Sequence, residues 1–193
     1  MSFFEMQEGL PAEFQLALQG LSKPYLRQEL KTDQIASPDG IGDFAVAFSC
    51  HVPNTAETAS NRGVGRIVFV FDENQADTWG SNMRIIAYVK SPLESEMEKE
   101  EDSANYYWGT LNLALQKHGA LSTHEAGTVT KMASTGMGAL ASDQTKTEIE
   151  LRASWSPTNY SLDVHFAAWQ DLVAAMAGFA IEGDSVAKIS KAV

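Results

Sequence analysis

The chain has 193 residues, 44% of them hydrophobic, and 25 acidic against 14 basic side chains give it a net charge of −11. That length and apolar content support one buried core, whereas two compact domains would each fall below the usual size. The expectation is a single α+β domain over residues 1–181 with a flexible tail over 182–193. So acidic a surface repels phosphate backbones and anionic membranes, which argues against nucleic acid and membrane as partners.

One cysteine, Cys50, leaves no intrachain disulfide to form. The opening MSFFEMQEGLPAEF lacks a basic start, a long apolar core and a small-residue cleavage site. Apolar runs elsewhere are far shorter than the ~20 residues that span a bilayer. A cytoplasmic protein is expected.

Leu10–Leu21 is predicted as a first helix, with Pro11 at its start, Glu13 in the first turn, and Phe14, Leu18 and Leu21 on one apolar face. Lys23-Pro24 ends it. Leu26–Ile35 is a weakly patterned strand, followed by the turn Ser37-Pro38-Asp39-Gly40. Phe44–Val52 alternates cleanly, with Phe44, Val46, Phe48, Cys50 and Val52 on one side. Pro53–Gly65 reads as an exposed loop. Arg66–Phe71, apolar on both faces, belongs in the middle of a sheet.

Asp72–Gly80 is a connector and Met83–Lys90 a further strand. The links are too short for crossover helices, so neighbouring strands run antiparallel. The segment Leu93–Asp102 carries six acids and one lysine. Ser103–His118 is a helix stopped by Gly119, with His118 suited as a cation to its C-terminal end. Leu121–Met132 and Thr147–Trp155 are the last strands. Ser161 is placed to cap a final helix with Phe166, Trp169, Leu172, Val173 and Met176 in its apolar stripe. The expected order is α-β-β-β-β-α-β-β-α: an antiparallel sheet of about five to six strands with three helices.

Several segments carry a resemblance. LPAEFQLAL, GRIVFVFDE, MRIIAYVKSPLESEM, HGA, EAGTVTKMAS and ELRASWSP follow one another in that order. In these pieces the chain resembles an actinobacterial family of unknown function, the domain-of-unknown-function family numbered 3000, from about Leu10 to Phe179. The resemblance implies no established activity. The element order is also similar to the type III secretion chaperone-like fold of YbjN-like proteins, apart from one extra strand before the middle helix. Such folds imply dimers and extended protein partners.

No local motif names a chemistry. Gly136-Met137-Gly138-Ala139-Leu140-Ala141 fits G-x-G-x-x-A, but a dinucleotide site needs a helix next, and a new strand follows within a few residues. Asp72, Asn74 and Asp77 hint at a cation loop, but Asp77 and Met83 stand where a calcium loop has glycine and glutamate. His51, His118, His124 and His165 show no pair at ligand spacing. Cys50 on an apolar strand face reads as a small hydrophobe. No cofactor, metal or catalytic set is expected.

The five arginines (Arg27, Arg62, Arg66, Arg84, Arg152) are scattered along the sequence and form no basic stripe in it. The acidic segment reads as solvated, with a basic partner as the functional alternative. Trp155, at a strand end beside Arg152, is the best candidate for an exposed aromatic anchor, although core packing is the commoner fate of such a residue. Two functions follow. The first is a non-enzymatic module that binds a protein partner or itself, with a homodimer one form this could take. The alternative is a small-molecule binder or enzyme whose site is assembled from Asp72, Arg84, Glu148 and Arg152.

Overall fold

A computed structural model describes residues 3–54, 62–93, 102–141 and 146–181. Among them are six strands: β1 Lys31–Ile35, β2 Phe44–His51, β3 Val64–Phe71, β4 Met83–Pro92, β5 Ser122–Ser134 and β6 Lys146–Pro157. They form one sheet in the order β1-β2-β3-β4-β6-β5, and every neighbouring pair is antiparallel. Four α-helices accompany it: α1 Ala12–Leu18, α2 Ala76–Trp79, α3 Ser103–Lys117 and α4 Leu162–Met176. The fold is α+β, in the order α-β-β-β-α-β-α-β-β-α.

The strands alternate their side chains, so the sheet has two unlike faces. On one, Val46, Phe48, Ile67, Phe69, Ile85, Val89, Leu151 and Trp155 are buried beneath the helices. Phe14 and Leu18 of α1 and Phe166, Trp169 and Leu172 of α4 close this layer. Each such side chain contributes about 1.5–3 kcal/mol when fully buried, which makes the layer the main source of stability. Helix α4 is apolar nearly all round, because it meets the sheet on one side and α1 and α3 on others.

Several boundaries differ from the sequence reading. Only Lys31–Ile35 of the expected strand Leu26–Ile35 pairs with a neighbour. The stretch before it is held by side chains: Arg27 is buried and bonded to Asp171. The expected connector Asp72–Gly80 coils into a 3-10 turn and α2, ended by Gly80 in the left-handed region at φ 66°. That short helix is the element missing from the expected order.

Helix α1 is shorter than expected and continues as the 3-10 turn Gln19–Ser22. Ser161 precedes α4 but makes no side-chain cap, and its backbone N–H instead donates to Asn159 Oδ1. Residues 94–101 of the acidic segment, 55–61 of the expected loop and the expected tail 182–193 lie outside the described residues. No helix among the described residues is long and apolar enough to cross a membrane.

Candidate functional site

Among the described residues, the second face of the sheet carries no helical layer and is covered at a corner, where Ile41 and Trp79 pack on Ala47, Val68 and Val70. Beyond that corner, strand register sets unlike side chains in a row. Ser49 of β2 pairs with Arg66 of β3, Arg66 with Tyr88 of β4, Tyr88 with Arg152 of β6, and Arg152 with Thr128 of β5. The next row runs Ala47, Val68, Ile86 and Ser154. An aromatic flanked by two guanidinium groups therefore lies directly beside an apolar strip. Ser49, Val64, Arg66, Ile86, Tyr88 and Arg152 line a concavity of about 720 Å³ here.

The polar groups on this face are unequally matched. Arg152 Nε donates to Glu150 Oε1 at 2.6 Å, and its guanidinium carbon lies 5.6 Å from the Tyr88 ring centroid. The Tyr88 hydroxyl donates to the other Glu150 oxygen at 3.2 Å. The bond from Arg152 holds the Glu150 carboxyl below its ordinary pKa, and burial together with Glu150 raises that of Tyr88. Lys90 Nζ lies 2.8 Å from Glu148 Oε2, and this bond raises the Lys90 pKa.

Among the described residues, Arg66 and Arg84 have no carboxylate partner of this kind. The Arg66 side chain is exposed and makes no hydrogen bond or ion pair among the described residues. Arg84 donates to neutral oxygens, Ser156 Oγ at 3.0 Å and Ser154 Oγ at 2.8 Å. Burial pushes its pKa down, with Glu125 acting the other way.

Of the residues singled out by sequence, the sheet brings Arg84, Glu148 and Arg152 to this one face. It also adds Arg66, so arginines that look scattered in the sequence are gathered by strand pairing. Arg84 and Glu148 nonetheless lie at opposite ends of the β4–β6 ladder, eight residues apart along β6, or roughly 27 Å at ~3.4 Å per residue. They cannot share one small ligand. Asp72 lies beyond the end of β3, where its side chain accepts from the Asn74 N–H at 2.9 Å and caps a turn.

Trp155 is a correction. It lies on the helix-covered face at 1% exposure and donates to His165, so it anchors the core and no partner reaches it. The alternation of β6 explains this: Trp155 shares parity with buried Leu151 and Ala153, whereas Arg152 has the opposite parity. Tyr88 and Ile86 went unnoticed in the sequence because MRIIAYVK is apolar at most positions and does not show which face a helix covers. Cys50 is buried under α4, and burial raises its thiol pKa.

A second polar cluster surrounds Asp171 of α4, whose carboxylate is fully buried. It accepts from the Tyr25 hydroxyl at 3.1 Å and from Arg27 Nη1 at 3.1 Å, and meets Lys117 Nζ at 2.8 Å and His118 Nε2 at 2.8 Å. Burial would raise the Asp171 pKa, but hydrogen bonds from Lys117 and His118 outweigh it and hold the carboxyl below its ordinary value. Arg27 also bonds Glu29 at 2.7 Å and the Ala180 carbonyl at 2.8 Å. The carboxylate's contacts thus join α4 to the segment before β1 and to the end of α3, and Arg27 carries the cluster on to the chain after α4. That is the geometry of a structural knot.

No curated protein and no solved structure matches the chain. The expected similarity to a type III secretion chaperone-like fold is therefore not shown. A family match covers residues 10–185, which is most of the chain. The chain belongs to the family described as protein of unknown function DUF3000.

Proposed function

We propose that this chain is a cytoplasmic, non-enzymatic protein-binding module that engages an acidic protein surface through the uncovered face of its sheet. The observation that carries this reading is the Arg66–Tyr88–Arg152 row beside Val68 and Ile86. Tyrosine and arginine around an apolar centre are the residue types that concentrate binding energy in protein interfaces. Among the described residues Arg66 has no counter-ion and Arg84 donates to neutral acceptors, which leaves both charges for a partner's carboxylates. A chain of net charge −11 that gathers cations on one face also steers an acidic partner to that face and repels it elsewhere. The small-molecule alternative has less support, because its four expected residues do not converge.

The test places a photo-reactive amino acid at Ile86 in cells of the source organism, with the same group at Gln116 on α3 as control. A discrete adduct from position 86, absent from position 116 and lost with Arg66→Glu, is the expected result. Its binding should also weaken with added salt, while Arg66→Glu alters stability by no more than about 0.5 kcal/mol, as an exposed substitution does. No adduct at 86, or the same adduct from both positions, overturns the proposal.

A further inference from the structure

Strands β3, β4 and β6 each have strand neighbours on both sides, so their backbone N–H and C=O groups are used within the sheet. A chain laid on their uncovered face finds no main-chain partners there and must arrive with its own backbone groups satisfied. An extended segment does not meet that condition. An α-helix does, and a helix packed on a sheet is a standard way of covering such a face. The relief of the surface also suits a helix. Ile86 and Tyr88 stand in line along β4, and Ile86 is 39% exposed. To one side lies the concavity of about 720 Å³ that Arg66 and Val68 help to line. To the other lies a second of about 480 Å³, lined by Ala126, Thr128 and Ser154. A ridge between two depressions fits the groove between two rows of side chains on a helix.

We infer that the uncovered face takes one amphipathic α-helix of a partner protein, laid along β4, with an apolar stripe on Ile86 and Tyr88 and carboxylates on both flanks. The inference rests on the binding-face reading above and adds to it the form of the partner. Charge and spacing favour this occupant. Arg66 and Arg152 stand one strand to either side of Tyr88, which sets their backbones roughly 10 Å apart at ~4.8 Å per strand. A helix with its side chains is about 10–12 Å across, so acids on its two flanks come within reach of the two guanidinium groups. Glu150 takes the Nε of Arg152 and holds that side chain at the Tyr88 ring before any partner arrives. Preorganisation of this kind lowers the entropy lost on binding. Among the described residues the Arg66 side chain has no such tether and is left for a carboxylate of the partner.

The probe is a synthetic peptide of about 16 residues, roughly 24 Å long as a helix. It carries leucines on one face, glutamates on both flanks of that face, and a hydrocarbon staple on the opposite side. Its fluorescence anisotropy is followed as the whole chain is added. Saturable binding is expected. It should weaken about tenfold or more when the staple is removed and a proline stands at the centre, and by a similar factor with Arg66→Glu. Of two further peptides, each with arginines in place of glutamates on one flank, one should restore binding to Arg66→Glu and the other should not. A general loss of stability would not produce that reversal. Gln116→Glu on α3 should change nothing. A helical peptide that shows no saturable binding overturns the inference. So does a proline form that binds as well, or an Arg66→Glu variant that neither flank reversal restores. If the position-86 adduct forms in cells while the helical peptide fails to bind, the binding-face reading stands and the helix inference alone falls. If no adduct forms, the reading beneath it falls whatever the peptide does.

Discussion

The indole N–H of Trp155 donates to Nδ1 of His165 across 3.0 Å, and the two rings lie in the core with 1% and 0% of their surface exposed. The bond fixes Nδ1 as an acceptor, so the imidazole is neutral with its proton on Nε2, for which no partner exists among the described residues. Burial pushes the His165 pKa from 6.5 to about 4. Between these values the unfolded chain binds a proton that the folded chain refuses, so stability falls as pH falls through that window. The loss amounts to about 3 kcal/mol and is complete near the lower value. Urea titrations from pH 7.5 to about 4 should show this slope, and His165→Leu should flatten it. An unchanged slope in the variant would place the titrating group elsewhere.

Asp171 should be the costliest single charge to remove. Asp171→Asn leaves Arg27, only 3% exposed, with Glu29 as its remaining carboxylate, and releases Lys117 and His118. Breaking one partner of a buried ion pair costs about 3–5 kcal/mol. The folded pKa of Asp171 is depressed, so its contribution is present above the unfolded value and lost as pH falls through the folded one. Chemical denaturation should therefore show a large gap between wild type and variant at neutral pH. That gap should close below the ordinary aspartate range.

Gly65 on β3 lies where α4 meets the sheet. A Cβ there would approach Val173 Cγ2 at 2.5 Å and both Cys50 Sγ and the Trp169 ring at 3.1 Å. Gly65→Ala should destabilise by about 1–3 kcal/mol through overpacking. The shift in thermal midpoint measures it, and Gly109→Ala on α3, where nothing lies within 4 Å, is the control and should be neutral or stabilising.

Cys50 should resist thiol reagents in the native protein, because burial both excludes the reagent and raises the thiol pKa. Its labelling should follow the unfolding equilibrium as urea is added. Rapid labelling in buffer alone would show that α4 lifts from the sheet independently of global unfolding.

The alternation Phe44, Val46, Phe48, Cys50, Val52, the doubly apolar GRIVFVF and the stripe Phe166, Trp169, Leu172, Val173 each follow from side-chain periodicity, a local property. The sequence by itself therefore determined the strands, the longer helices, their antiparallel relation and the α+β class. It could not tell which parity of β6 faces the helices, and so took Trp155 for a surface candidate and missed the exposed side of β4. It showed Arg66, Arg84 and Arg152 as isolated cations, because strand pairing brings together residues up to 86 positions apart. It read Leu26–Leu30 as strand, because nothing local reveals that Arg27 will bury itself against Asp171, 144 residues away. Cross-strand register and the choice of covered face are decided only when the whole chain packs, since each depends on which distant surface competes for the same burial.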